Sequence, residues 1–170
     1  MLLSKDTQPV QLLVLCTGNS ARSVMAEGLF NRLLQGRIRA YSAGSQPTGQ
    51  VNPLALEQLG SWEAEQPPRS KSWDEFLAPG APPLDIVLTV CGNASQACPQ
   101  FPGTPQRVHW GLPDPAAIEG DNDQKRAAFA DCYSALHLRI SQLQQQMDTH
   151  PQQTEAARIA RLMQSLVTTA

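Results

Sequence analysis

Val10-Gln11-Leu12-Leu13-Val14-Leu15-Cys16-Thr17-Gly18-Asn19-Ser20-Ala21-Arg22-Ser23 is the stretch that decides how this chain folds. Val10 to Leu15 is a nearly continuous apolar run, the pattern of a buried parallel strand. Thr17 to Ser20 is turn-rich and contains Gly18, so it reads as a loop. Helical spacing takes over near Ala21, where Val24, Met25, Gly28, Leu29 and Leu33 share a face to about Gln35, with Gly36 as the stop. A strand, a tight loop and a helix start, in that order, make an anion site. Ligands of α/β sheets bind beyond the carboxyl ends of strands. Loop N–H groups can converge on one point there, and the helix start adds roughly half a positive charge. Arg22 offers a planar fork to two oxygens of a tetrahedral oxyanion. Cys16 lies in the same field, which favours a thiolate as it favours an oxyanion, and Ser23 can add a hydroxyl donor to the sulfur. The candidate anion-binding residues are therefore Thr17, Gly18, Asn19, Ser20, Ala21, Arg22 and Ser23, around Cys16 as nucleophile.

Outward from this stretch, strand and helix patterns alternate. Ile38 to Ser42 is a second strand, ended by Ala43-Gly44. Asn52-Pro53 opens a short helix that Gly60 ends, and Ser70 to Leu77 predicts another short helix. Asp85 to Val90 is the clearest β run and stops at Cys91, as the first stops at Cys16. Arg107 to Trp110 predicts a fourth strand, and Asp123 to Met147 a long helix carrying Phe129, Leu136, Ile140 and Leu143. The proline-rich stretches Pro67-Pro68, Pro79 to Pro83 and Pro99 to Pro105 are loops. The alternation predicts one α/β domain over residues 1–150, a four-stranded parallel sheet with helices on both faces. In the remaining tail, 151–170, Ala157, Ile159, Ala160, Leu162, Met163 and Leu166 form a modest apolar stripe, expected as a C-terminal helical extension.

Composition narrows the function. The chain has 170 residues, and its 13 basic against 15 acidic side chains give a net charge of -2. That balance carries no footprint for nucleic acid or a membrane surface. Met1 to Gln11 is polar, with Lys5 and Asp6, and lacks the apolar core of a signal peptide. No apolar run approaches the ~18 residues needed to span a bilayer. A cytoplasmic location is expected, where four cysteines point to thiol chemistry rather than a disulfide framework.

Cys91 ends the third strand and Cys98 follows seven residues later, across the small, polar stretch Gly92-Asn93-Ala94-Ser95-Gln96-Ala97. That stretch suits a short helix able to unwind. In a parallel sheet the ends of neighbouring strands share one edge, so Cys91 is expected on the edge that holds Cys16. The residues alone leave two readings open, a pair of ordinary thiols or a redox pair. Cys132, inside the long helix, reads as a packed core or surface thiol. Asp114, between two prolines after the fourth strand, is either a turn-forming aspartate or a general acid beside the anion. His109 and Trp110 read as framing residues.

The loop Cys16-Thr17-Gly18-Asn19-Ser20-Ala21-Arg22-Ser23, followed by Met25-Ala26-Glu27-Gly28, resembles the signature of the low-molecular-weight protein tyrosine phosphatase family. Within it, the sequence is most similar to arsenate reductases coupled to thioredoxin. The likeness continues through Ser42-Ala43-Gly44, Asn52-Pro53, Cys91-Gly92, Cys98-Pro99, His109-Trp110-Gly111 and Asp114-Pro115. This resemblance implies an arsenate-reducing enzyme with Cys16, Arg22 and Asp114 as nucleophile, anion clamp and acid. It implies a disulfide relay from Cys16 to Cys91 to Cys98, with no metal or organic cofactor. The implied partners are arsenate, with phosphate or sulfate as mimics, and a dithiol reductant: thioredoxin, or glutaredoxin with glutathione. The alternative it leaves is a phosphatase acting on phosphate monoesters, for which Cys16, Arg22 and Asp114 suffice. A non-enzymatic oxyanion sensor would have no use for Asp114. Some relatives hold potassium with an asparagine, a glutamate, a serine and an aspartate. Asn19, Glu27 and Ser42 match the first three, but Lys71 stands in the aspartate's place, which implies no potassium requirement.

Overall fold

The computed structural model describes residues 8–62, 67–152 and 154–167. Most of the polar leader read from Met1 to Gln11 lies outside them. The elements run β1 (Val10–Cys16), α1 (Arg22–Leu33), β2 (Ile38–Gly44), α2 (Pro53–Leu59), β3 (Ile86–Thr89), α3 (Gly92–Ala97), β4 (Gln106–His109), α4 (Asn122–Thr149) and α5 (Ala156–Ser165). Short 3-10 turns occupy Trp73–Phe76 and Pro115–Ala117. The four strands form one parallel sheet in the order β2-β1-β3-β4.

The apolar run predicted the central strand correctly, and burial explains why. Leu12, Leu13, Val14 and Leu15 are fully buried in succession, as are Ile86 to Leu88 on β3. Side chains of a strand alternate between faces, so unbroken burial means that both faces of the sheet are covered. Each such leucine contributes about 1.5–3 kcal/mol through burial alone. Helix α1 packs on β1 and β2 and against α2 and α4. Gly28 makes the α1–α2 approach possible, since a Cβ there would lie 3.0 Å from the Trp62 ring and against Leu59. Phe30 of α1 stacks on the fully buried Trp110 at 5.8 Å between ring centroids. Asn52 caps α2 by accepting from Leu54 N–H, and Asp121 with Gln124 forms a capping box that opens α4.

Helix α5 answers what the tail does structurally. Its Ile159, Ala160 and Met163 are buried, and it packs on β4. β4 is an edge strand, with outward N–H groups that need partners. Gln164 Oε1 accepts from His109 N–H at 3.2 Å, and the Met163 carbonyl accepts from the Trp110 indole at 2.8 Å. Among the described residues no helix is long and apolar enough to cross a membrane.

Some sequence expectations are corrected. The helix expected over Ser70 to Leu77 shrinks to the single 3-10 turn at Trp73–Phe76. The preceding backbone is used otherwise: Gly44 N–H donates to the Lys71 carbonyl at 2.9 Å, and Ser72 bridges to Gly44. Tertiary pairing at the end of β2 thus overrides local helical preference. β4 lies one residue earlier than expected, and β3 is trimmed at both ends to Ile86–Thr89. α1 stops at Leu33, and Gly36 takes the left-handed turn with φ of 83°.

Candidate active site

Strand β1 delivers Cys16 to the carboxyl edge of the sheet, where its side chain is 3% exposed. Two polar groups converge on its sulfur. Asn19 N–H points at Sγ from 3.2 Å, and the Ser23 hydroxyl lies 2.9 Å away. Ser23 in turn accepts from the Asn19 side-chain amide at 2.8 Å. Asn19 and Ser23 are fully buried, so this triangle is shielded from competing water.

The loop between β1 and α1 holds its shape through its own carbonyls. Thr17 O accepts from Gln46 N–H at 2.9 Å and Ser20 O from Asn52 N–H at 2.9 Å. Gly18 O accepts from Thr48 N–H at 3.0 Å and from the Ser70 hydroxyl at 3.1 Å. Asn19 takes a left-handed φ of 46°, a conformation asparagine tolerates better than most residues, and Lys71 N–H donates to its Oδ1 at 2.9 Å. With these carbonyls tied outward, the Asn19 N–H faces the sulfur. Gly44 is part of this arrangement. A Cβ there would run into the Thr17 carbonyl and lie 3.1 Å from both N and Cβ of Asn19. That requirement arises only where the ends of β1 and β2 meet, so no local pattern around Gly44 signals it.

Arg22 opens α1, with one end of its fork hydrogen-bonded and the other near a carboxylate. Nη1 donates to the Leu112 carbonyl at 2.9 Å, and Nη2 lies 3.8 Å from Asp114 Oδ2. The Arg22 side chain is 12% exposed and that of Asp114 42%, so the carboxyl stands at the mouth and the guanidinium inside it. Asp114 also accepts from Ala116 N–H at 3.0 Å and caps the turn Pro115–Ala117. The turn-forming reading of Asp114 is thus seen in the structure, and its carboxylate also stands beside Arg22.

Register brings Cys91 to the same edge. Leu15 pairs with Thr89, and two residues further along each strand stand Thr17 and Cys91. The Thr17 hydroxyl lies 3.4 Å from Cys91 Sγ. Cys91 is buried at the start of α3, where its sulfur accepts from Ala94 N–H at 3.4 Å. Cys98 ends the same helix, half-buried, its thiol donating to the Pro99 carbonyl at 3.5 Å. All four cysteines are free thiols. Cys132 is buried on α4, in the core rather than at the surface. Burial pushes its thiol up to about 11, with Arg22 pulling it down and Asp114 and Cys16 pushing it further up.

Behind the loop, the Ser42 hydroxyl donates to Glu27. Burial pushes the Glu27 carboxyl above its usual range, against the opposing pull of Lys71, Ser42 and Arg69. Burial likewise pulls the Lys71 ammonium down, with Glu27 holding it up. Asn19 and Ser42 are buried and Glu27 and Lys71 partly so; Lys71 reaches Asn19 through its backbone N–H, and its ammonium donates to the Arg69 carbonyl at 3.3 Å. No cluster of three or more metal-ligating side chains occurs among the described residues.

Comparison with known proteins supplies the family context. The family model described as low molecular weight phosphotyrosine protein phosphatase matches residues 11–153. An arsenate reductase of Halalkalibacterium halodurans is 43% identical over 129 residues, covering 74% of this chain and 88% of that protein. An arsenate reductase of Bacillus subtilis is 39% identical over 131 residues, covering 75% and 90%. The crystal structure of arsenate reductase from Archaeoglobus fulgidus superposes with a TM-score of 0.55 at 26% identity, covering 76% of this chain and 98% of that one.

Proposed function

The chain belongs to the low molecular weight phosphotyrosine protein phosphatase family, and from that premise we propose that it is an arsenate reductase whose electrons pass through a relay of three cysteines. The observation that carries the reading is the contact of Cys91 with the Cys16 loop through Thr17, 3.4 Å from its sulfur. Hydrolysis of a phosphate ester has no use for a second thiol there. The naming of relatives at 43% and 39% identity as arsenate reductases supports the same choice.

Arsenate enters the loop and is held by its N–H groups and the Arg22 fork. The Cys16 thiolate, with Asn19 N–H and Ser23 as donors, attacks arsenic, and water leaves with a proton from Asp114. The Cys91 thiolate then attacks Cys16 Sγ. The sulfur–arsenic bond breaks with its electron pair on arsenic, arsenite leaves, and a Cys16–Cys91 disulfide remains. Cys98 attacks Cys91 next, which frees Cys16 and forms Cys91–Cys98. Helix geometry demands a movement here. Seven residues at 1.5 Å rise separate the two Cα atoms by about 10 Å, whereas a disulfide needs about 7 Å or less. Helix α3 must therefore unwind. A cytoplasmic dithiol protein of the thioredoxin type then reduces Cys91–Cys98. Lys71, beside Glu27, supplies the positive charge that potassium gives some relatives.

The test is a coupled assay with arsenate in the presence of thioredoxin or glutaredoxin systems. Cys91→Ser is expected to abolish multiple-turnover arsenate reduction while hydrolysis of a phosphate ester survives. Failure of the wild-type chain to reduce arsenate with any dithiol donor, alongside ester hydrolysis, would make it a phosphatase.

A further inference from the structure

Strand β4 sets two basic side chains, Arg107 and His109, beside the end of α3. With Thr89, Ser95, Cys98 and Gln164 they line a small cavity of about 150 Å³. Arg107 Nη2 donates to the Pro99 carbonyl at 2.8 Å, and the Cys98 thiol donates to the same oxygen at 3.5 Å. Guanidinium and sulfur meet on one acceptor, so they stand within about 6 Å of each other, close enough for strong mutual attraction once the sulfur is ionised. No carboxylate lines this cavity. The groups facing Cys98 are Arg107 and His109 from β4, neutral Thr89 from β3 and neutral Gln164 from α5, with Cys91 at the far end of α3. His109 Nδ1 and the Thr89 hydroxyl lie 2.8 Å apart, and Arg107, a guanidinium charged at every working pH, is the permanent cation on this flank.

We propose that Arg107 is a positioning residue for the relay: it tethers the Cys98 segment through Pro99 and stabilises the Cys98 thiolate for its attack on Cys91. The inference rests on the arsenate-reductase reading and adds to it a residue that touches none of the reacting atoms. In the step it serves, the Cys98 proton passes to solvent and the Cys98 thiolate attacks Cys91 Sγ. The Cys91–Cys98 bond forms, the Cys16–Cys91 bond breaks, and Cys16 leaves as a thiolate with the electron pair. The requirement is real because burial pushes the Cys98 thiol up, and Arg107 is what opposes it. Two jobs thus fall to one exposed strand residue: at rest it shares an acceptor with a protonated thiol, and on unwinding of α3 it offers that sulfur a counter-charge.

The experiment follows iodoacetamide labelling of each cysteine in the reduced, full-length protein by peptide mass spectrometry across pH. Arg107→Gln is expected to raise the Cys98 labelling midpoint by roughly half to two pH units, the range for loss of a unit charge about 6 Å away between watery and half-buried surroundings. Arg107→Lys is expected to return the midpoint towards wild type, and the Cys16 midpoint should stay in place throughout. Conversion of Cys16–Cys91 to Cys91–Cys98 should slow in Arg107→Gln near neutrality and catch up with wild type as pH rises. A Cys98 midpoint unmoved by Arg107→Gln, or moved equally by both substitutions, overturns the inference. The labelling needs no arsenate. Absent arsenate turnover in wild type would sink the functional reading, whereas an unmoved midpoint sinks only the role of Arg107.

Discussion

Gly44→Ala is the perturbation that most sharply couples the fold to the site. The added Cβ meets three atoms of the anion loop: the Thr17 carbonyl oxygen, Asn19 N and Asn19 Cβ. Two of these are backbone atoms, so no rotamer change relieves the clash. Either the end of β2 retreats or the loop shifts. Retreat strains Gln46 N–H to Thr17 O at 2.9 Å and Ser45 N–H to Cys16 O at 3.3 Å. Overpacking costs about 1–3 kcal/mol, and a weakened hydrogen bond about 1 kcal/mol more. The sum, about 2–4 kcal/mol, corresponds to a fall in Tm of about 5–15 °C for a chain of this size. The loop shift also misplaces Asn19 N–H, one of the two polar groups on Cys16. At phosphate set to 100 times the wild-type Kd, wild type gains about 2.7 kcal/mol. A variant that binds ten times more weakly gains about half of that. The assay is a thermal melt with and without phosphate. Gly49→Ala serves as the comparison, since its left-handed φ of 83° is strained but nothing stands within 4 Å. A Gly44→Ala protein that melts within about 2 °C of wild type, with an undiminished phosphate gain, would show that the loop does not depend on Gly44.

The other expectations concern the relay, the buried pair and the tail. Gly92→Ala meets no neighbour within 4 Å and replaces a poor helix former in α3, a change of about 0.5–1 kcal/mol. If α3 unwinds before Cys98 attacks, the second exchange should slow roughly two- to fivefold in a quenched time course, and an unchanged rate argues against unwinding. Glu27 binds its proton more tightly folded than unfolded. Its contribution to stability is therefore present below pH 4.5 and lost as pH rises through the raised folded value. Glu27→Gln should lack that decline, which urea midpoints between acidic and neutral pH will show; parallel curves for the two proteins would contradict it. Adding potassium at constant ionic strength should leave arsenate turnover unchanged, because Lys71 already faces Glu27; a clear activation counts against that substitution. Trp110→Phe removes the donor to the Met163 carbonyl and should cost about 1–3 kcal/mol, read as lower protection of α5 from hydrogen exchange; unaltered protection would show that α5 is held by its apolar side chains alone.

What was legible in the sequence was whatever is written locally. The run Val10 to Leu15 announced a strand buried on both faces because every position but Gln11 is apolar, and the turn-rich stretch Thr17 to Ser20 announced the loop that joins β1 to α1. Asn52-Pro53 and Gly60 bracketed α2 for the same reason. The stripe of Ile159, Ala160 and Met163 was visible, but its seat on β4 was not, since a stripe says nothing about which surface covers it. Ser70 to Leu77 misled because its backbone is claimed by Gly44, a partner 26 residues away from Ser70 on another element. Gly44 itself, and Arg107 beside Cys98, stayed silent for a related reason. Each matters through one contact made only after strands assemble, and a lone glycine or arginine at a strand position has many ordinary explanations.

The most direct test of the relay is to react the reduced wild-type protein with arsenate in the absence of any external reductant, quench with acid, and map the cysteines by mass spectrometry. One arsenite is expected per chain, with a Cys91–Cys98 disulfide formed and Cys16 returned as a free thiol. Arsenite release with Cys16 joined to Cys132, or a single turnover that leaves Cys91 and Cys98 reduced, would contradict it.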